Sequence, residues 1–310
     1  MLVVVILIIT PQGAPFAATA DPARQIVIFV DGTPQWLQEQ IVMLLGGPQT
    51  QIIHVLSLIN ALAVQFPLSN LTTIDQSLLS NPSVVGVYAD LVGLIDLEPP
   101  LAVLTAPPVE DFEWGQYHIG IPKVYNHGNG VQGAGVTVAV LDSGIYISQS
   151  GQYHPDLAAN IVGGFNAIAE GQSYNDDNGH GTHIAGIITA TVNGQGIIGT
   201  AAQAQLMAVK VLDATGSGYL SDFINGLQWV RNHGIRVLNM SLSFARIVSR
   251  CSGPSNACTR PERSWSPPLG TAARVAEVWR RAVALMAGGQ PAILRNLRRM
   301  PSCILRPIRR

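Results

Sequence analysis

Asp142 and His180 are the residues of this chain whose setting points most directly to chemistry. Asp142 lies in VTVAVLDSG, from Val136 to Gly144, and His180 in NGHGTHIAG, from Asn178 to Gly186, fewer than forty residues apart. A buried carboxylate beside an imidazole fixes the ring's tautomer and stabilises the imidazolium formed when the ring takes a proton. Such a pair needs a nucleophile to complete a triad. Each motif is weaker alone. Asp-Ser-Gly is an ordinary turn sequence. His180 and His183, three residues apart, could ligate a metal, but no third or fourth ligand stands at close spacing.

The pair must be held by the elements around it. Residues 136–142 read as a fully apolar strand that delivers Asp142 at its carboxyl end. HGTHIAGIITAT reads as a helix rich in small residues that opens on His180. QLMAVKVL and RVLNMSL read as further strands. Between them Ser221 can cap a helix whose Phe223, Ile224, Leu227 and Val230 recur at helical spacing, and Gly234 can end it. Near-continuous apolar strands joined by helices predict an α/β fold, a doubly wound and mainly parallel sheet covered on both faces. In such sheets, sites gather at strand carboxyl ends and helix amino ends.

Ahead of this region stands a different pattern. QIVIFV reads as a strand, Gln35 to Leu45 as a helix, Gln51 to Phe66 as two strands, LTTIDQSLL as a helix and VVGVY as a strand. That order predicts a small α+β module of the ferredoxin-like kind within residues 21–107. A Pro-rich stretch that follows the module, EPPLAVLTAPPVED, reads as an extended linker. Residues 1–20 combine the apolar run LVVVILII with Ala18-Thr19-Ala20, which predicts a secretory leader. The basic residues usual ahead of such a run are missing, and a buried strand is the other reading. The run is too short to span a membrane, so no stable anchor is expected.

The chain's net charge of −1 hides a division at residue 244. Residues 1–244 hold five Lys/Arg against seventeen Asp/Glu, whereas residues 245–310 hold thirteen Arg and two acids. Cys251, Cys258 and Cys303 all lie in the later stretch. No recognition motif or aromatic interleaving accompanies the arginines, which argues against nucleic acid as a partner.

Taken in order, these motifs resemble the subtilisin-like serine proteases, over roughly residues 25–244. The resemblance implies Asp142 as the catalytic Asp and His180 as the catalytic His, with His183 structural. It implies that Gly216, Ser217 and Gly218 form one edge of a cleft that pairs with an extended polypeptide substrate, and that Ser241 and Leu242, within NMSL, lie on the other. Ser243 stands where the family usually has Gly. A structural Ca²⁺ site is implied at Asp156, Asn193, Gln195 and Ile197, whose hard oxygen donors suit that ion. Residues 21–107 resemble the family's propeptide, the chain's own intramolecular inhibitor, with cleavage in the linker before a catalytic region at 108–244. A secreted monomer is expected. Asp176 and Asp177 read as a solvated loop, or as an attraction for a basic substrate residue.

The family's Ala-Gly-Asn and Gly-Thr-Ser-Met-Ala stretches, which carry the oxyanion donor and the nucleophile, are absent from this sequence. The nearest echo is Gly270-Thr271-Ala272-Ala273. Loss of the nucleophile from such a triad costs about 10⁶-fold in rate. The chain is therefore expected to be an endopeptidase precursor that is inactive as written, the alternative being a non-enzymatic inhibitor or a pseudoprotease. A reading-frame shift near residue 244 accounts for the joint change of charge, cysteine content and strand pattern. Resequencing past codon 244 is expected to reveal it, and an uninterrupted frame with this tail in independent isolates would refute it.

Overall fold

A computed structural model describes residues 3–6, 21–95, 110–126 and 130–244. Most of the expected leader and linker, and all of the Arg-rich tail, lie outside these residues. In chain order the first elements are β1 (Val3–Ile6), β2 (Arg24–Phe29), α1 (Gln35–Gly46), β3 (Gln51–Leu56), β4 (Ala61–Gln65), α2 (Leu71–Leu79), β5 (Val84–Ala89) and β6 (Val92–Leu94). There follow α3 (Trp114–His118), α4 (Ile121–Asn126), β7 (Thr137–Asp142), α5 (Pro155–Ala158), β8 (Ile161–Asn166), α6 (His180–Thr189), β9 (Gln205–Lys210), β10 (Ser217–Tyr219), α7 (Leu220–Asn232), β11 (Val237–Met240) and β12 (Ser243–Phe244). They form two compact units, one of residues 21–90 and the other of residues 3–6 and 91–244.

The smaller unit is a four-stranded antiparallel sheet in the order β3-β4-β2-β5, with α1 and α2 as its helices. This is the predicted β-α-β-β-α-β arrangement. Strand alternation sends Val27 and Phe29 of β2 and Leu62 and Val64 of β4 into one core with Ile41, Val42, Ile74 and Leu78 of the helices. The run 51–66 splits in two at a short 3₁₀ turn, Ser57–Ile59. Asn60 closes that turn at φ 54° and donates from Nδ2 to the carbonyls of Phe29 and Val30. An Asn tolerates this left-handed conformation where a branched residue would not.

The larger unit carries a five-stranded parallel sheet in the order β1-β11-β7-β9-β8. Val140 and Ala208 face a core shared with Leu157 and with Ala185 of α6. On the next positions, Leu141 and Val209 face Gly226 of α7, where a Cβ would stand 2.9 Å from Val211 and 3.1 Å from Val209. The glycine lets α7 lie close against the strands. Helices on both faces are what fully apolar strands require, so the doubly wound prediction holds.

Three details differ from the sequence expectations. Tyr219, not Ser221, precedes α7, and its N–H is accepted by the Asp222 carboxylate in a capping box; Ser221 is one residue inside and buried. β8 was not foreseen, because Gly163 and Gly164 interrupt its apolar pattern. A Cβ on Gly164 would stand 2.6 Å from the Ala208 carbonyl, so the close pairing excludes the side chain that would have marked the strand. Residues Val3–Ile6, inside the predicted leader, form a strand parallel to β11, pairing Val3 with Val237 through Ile6 with Met240. β11 thus has a partner on each side.

Leu62 is fully buried in the smaller core. Leu62→Ala is expected to destabilise that unit by about 2–5 kcal/mol. Urea titration monitored by hydrogen exchange at the β2 and β4 amides checks this, and a loss below about 1 kcal/mol would contradict the packing.

Candidate functional site

β7 ends on Asp142 and α6 begins on His180, and the two side chains meet. Asp142 Oδ1 lies 2.7 Å from His180 Nδ1. The carboxylate is fully buried, whereas the imidazole is partly exposed. Asp142 Oδ1 also accepts from the Ser143 N–H at 2.7 Å, and Oδ2 is buried without a hydrogen-bond partner among the described residues. A carboxylate can only accept, so the ring proton belongs on Nδ1 and the lone pair on Nε2. That is the tautomer needed by a base that takes a proton through Nε2.

The turn that follows Asp142 is built for close approach. Gly144 has φ 117°, and a Cβ there would stand 2.4 Å from the Tyr174 carbonyl. Gly181, the second residue of α6, has Ser143 and Gly144 against it, and a Cβ would stand 2.3 Å from the Gly144 carbonyl. Lys210, at the end of β9, donates from Nζ to the Ser143 carbonyl and to Asp177 Oδ1, both at 2.6 Å. Asp176 is buried. The reading of Asp176 and Asp177 as solvated loop acids is therefore corrected for Asp176, which is enclosed, whereas Asp177 stays exposed while pairing with Lys210. Their adjacency to the His motif was the only signal, and it does not distinguish a cap from a loop.

Ser217 and Gly218 lie on β10, and Gly216 directly precedes it. β6 runs antiparallel along β10, pairing Val92 with Tyr219, Gly93 with Gly218 and Leu94 with Ser217. Backbone bonds extend the ladder at both ends, from Leu220 N–H to the Leu91 carbonyl and from Ile95 N–H to the Gly216 carbonyl. A Cβ on Gly218 would fall 2.0 Å from the Val211 carbonyl, so no other residue fits there. On its other side β6 pairs with β12 through Ser243 and Phe244. Ser241 and Leu242 thus sit just ahead of the paired residues. Ser241 Oγ donates to Asn239 Oδ1 at 3.0 Å, and Leu242 is buried. The chain's own residues 92–94 occupy the middle of this three-stranded sheet.

Of the residues expected to hold calcium, Asp156 stands in α5 and meets Asn193 from the loop that follows α6. Asn193 Nδ2 donates to Asp156 Oδ1 at 3.1 Å, and Asn193 Oδ1 accepts from Gln195 N–H at 2.9 Å. Glu110 Oε1 accepts from Asn193 N–H at 2.6 Å. Ile197 bridges to Asp111 in parallel fashion. Gly196, at φ 70°, leaves a cradle beside Asp156, since a Cβ there would lie 2.2 Å from Oδ2. The Asp156 carboxylate and the Asn193 amide oxygen are hard donors of the kind Ca²⁺ takes. Among the described residues no three His, Cys, Asp or Glu side chains cluster as a metal site, and His183 is exposed.

The Asp142–His180 pair thus stands at a strand end and a helix start of the parallel sheet, in the same unit as the β10-β6-β12 ladder. Residues 133–281 match the subtilase family. Subtilisin Savinase of Lederbergia lenta is 46% identical over 129 residues, 42% of this chain and 44% of that protein. Subtilisin E of Bacillus subtilis (strain 168) is 48% identical over 117 residues, 37% of this chain and 29% of that one. An alkaline protease of Alkalihalobacillus alcalophilus is 40% identical over 156 residues, 49% of this chain and 38% of that one. The chain spans less than half the length of these curated relatives. Among solved structures, fervidolysin from Fervidobacterium pennivorans, described as a keratinolytic enzyme related to subtilisin, matches with a TM-score of 0.53 at 20% identity. The match covers 74% of this chain and 37% of that one and speaks for the fold. Over residues 133–281, just under half of its length, the chain is similar to the subtilase family. The family match runs past Phe244 to residue 281 and so takes in residues that the sequence expectation left unmatched, Gly270-Thr271-Ala272-Ala273 among them.

The Gly181–Gly144 approach yields a test. Gly181→Ala forces backbone to move between Asp142 and His180 and is expected to destabilise the larger unit by about 1–3 kcal/mol. Chemical denaturation of the two chains side by side checks this, and an unchanged midpoint would show that the turn can give way.

Proposed function

We propose that this chain is a subtilisin-like serine endopeptidase precursor that carries the acid–base half of the triad and is inactive as written. The observation that carries the reading is the Asp142–His180 hydrogen bond of 2.7 Å. In this reading Asp142 orients His180 through Nδ1, and His180 Nε2 takes the proton of an attacking hydroxyl and returns it to the leaving amine. The polypeptide substrate lies extended between β10 and β12, its backbone completing the ladder. Residues 92–94 hold that place as the end of a propeptide module that acts as intramolecular inhibitor and folding template. A bound Ca²⁺ would be held by Asp156, Asn193, Gln195 and Ile197 and would supply rigidity to the loop beneath α6, with no part in proton transfer. Export by the N-terminal segment and function as a secreted monomer complete the reading. Among the described residues no helix is long and apolar enough to cross a membrane.

A fluorophosphonate probe and an internally quenched peptide, applied to the purified chain, test the proposal. The expected result is neither labelling nor turnover. Covalent labelling would overturn the inactivity and locate the nucleophile. Silence combined with tight inhibition of an active subtilisin would support the non-enzymatic inhibitor instead. In the same preparation, Ca²⁺ is expected to raise the melting midpoint over EGTA, and Asp156→Asn to abolish the difference.

A further inference from the structure

We infer that Asp176 is a positioning residue for the Asp142–His180 pair: one buried carboxylate ties the strand end that carries the acid to the helix start that carries the base. The inference rests on the reading of those two residues as an acid–base pair. Asp176 Oδ1 accepts from Ser143 Oγ at 2.8 Å, from Gly179 N–H at 2.8 Å and from Asn178 N–H at 3.1 Å. Its Oδ2 accepts from Thr182 N–H at 2.8 Å and from the Thr182 hydroxyl. Ser143, the residue next to Asp142, uses the same Oγ to accept from Gly181 N–H at 2.9 Å. Asn178 Oδ1 accepts from His180 N–H at 3.2 Å.

A helix leaves its first N–H groups without partners, and a side chain usually satisfies one of them. Here the residue ahead of α6 is Gly179, at φ 104°, which has no side chain to offer. The N–H groups of His180, Gly181 and Thr182 go to Asn178, Ser143 and Asp176 respectively. The cap is therefore shared among three residues, two from the preceding loop, and its central bond crosses to the turn of Asp142. Ile145 and Asp176 reinforce the seam, since Asp176 N–H donates to the Ile145 carbonyl at 2.9 Å. The Thr182 hydroxyl also accepts from Tyr146 N–H at 2.9 Å. His180 thus has its imidazole on Asp142 and its backbone on a frame bolted to Asp142's neighbour. Burial raises the Asp176 carboxyl pKa, but the bonds from Thr182, Gly179 and Ser143 outweigh it, leaving the group below its ordinary value and charged.

The charged groups of this assembly are Asp142 on β7, Asp176 and Asp177 ahead of α6, and Lys210 on β9. Removing Asp176 takes away a negative charge and loosens the seam, and both lower the proton affinity of His180. Bond and charge separate through Ser143→Ala, which cuts the bridge without changing any charge.

The readout is the rate of diethylpyrocarbonate modification of His180 against pH, followed by peptide mass spectrometry. It gives the imidazole pKa in the full chain without requiring turnover. Asp176→Asn and Ser143→Ala are each expected to lower that pKa by about half to one unit, roughly three- to tenfold in proton affinity. The double variant should fall no further than the larger single change, because both cut one connection. Limited proteolysis certifies that each variant is folded, and Ser143→Ala keeps the capping carboxylate should Asp176→Asn not fold. An unchanged pKa in folded Ser143→Ala, or strictly additive shifts, would overturn the positioning role. Asp142→Asn should also lower the pKa; if it does not, the acid–base reading itself fails, and the two failures are thereby told apart.

Discussion

The close approach of the β7 turn to the first turn of α6 is the constraint on which the site depends. A strand end and a helix start can bring Asp142 within 2.7 Å of His180 only if nothing stands between their backbones. Gly144 and Gly181 provide that clearance, each where a methyl group would strike a carbonyl. Close packing admits no slack, so a single added carbon is felt. The polar frame of Ser143, Asp176 and Lys210 then holds what the glycines permit. Lys210 arrives because β9 pairs with β7 in register, setting it opposite Asp142. Sheet register, glycine clearance and buried polar bonds thus converge on one distance.

Much of this architecture could be read from the residues. Apolar runs gave β7, β9 and β11, and small-residue periodicity gave α6. The alternation of two periods gave the smaller unit, down to α2 at Leu71–Leu79. Asp142 and His180 could be paired because strand ends and helix starts are where such sheets place their chemistry. What could not be read has a physical reason in each case. β8 was hidden because its glycines answer to a neighbouring carbonyl rather than to a hydrophobic pattern. The start of α7 was misplaced because Asp222 caps it from within. The role of Asp176 was invisible because its partners come from Ser143, far earlier in the chain, as well as from its own loop.

The N-terminal run shows a different ambiguity. Short stretches of Val, Leu and Ile satisfy the composition of a leader and of a buried parallel strand equally well. Pairing with β11 is the use the structure makes of Val3–Ile6. A parallel edge with open N–H and C=O groups is a template for unwanted pairing, and a strand laid along it removes that hazard for β11. The fold therefore gives those residues a task that composition alone does not reveal.

The place of β6 between β10 and β12 has a consequence in terms of mass action. β6 is part of the same chain as both edges it pairs with, so its association is intramolecular and does not depend on protein concentration. Covalent connection replaces the bulk concentration of such a segment with an effective one set by the intervening chain. Dilution of the protein therefore does not loosen it. Only a break in the chain on one side of the strand would change the order of the process, turning the pairing of β6 from a fixed property of the molecule into an equilibrium that dilution can shift.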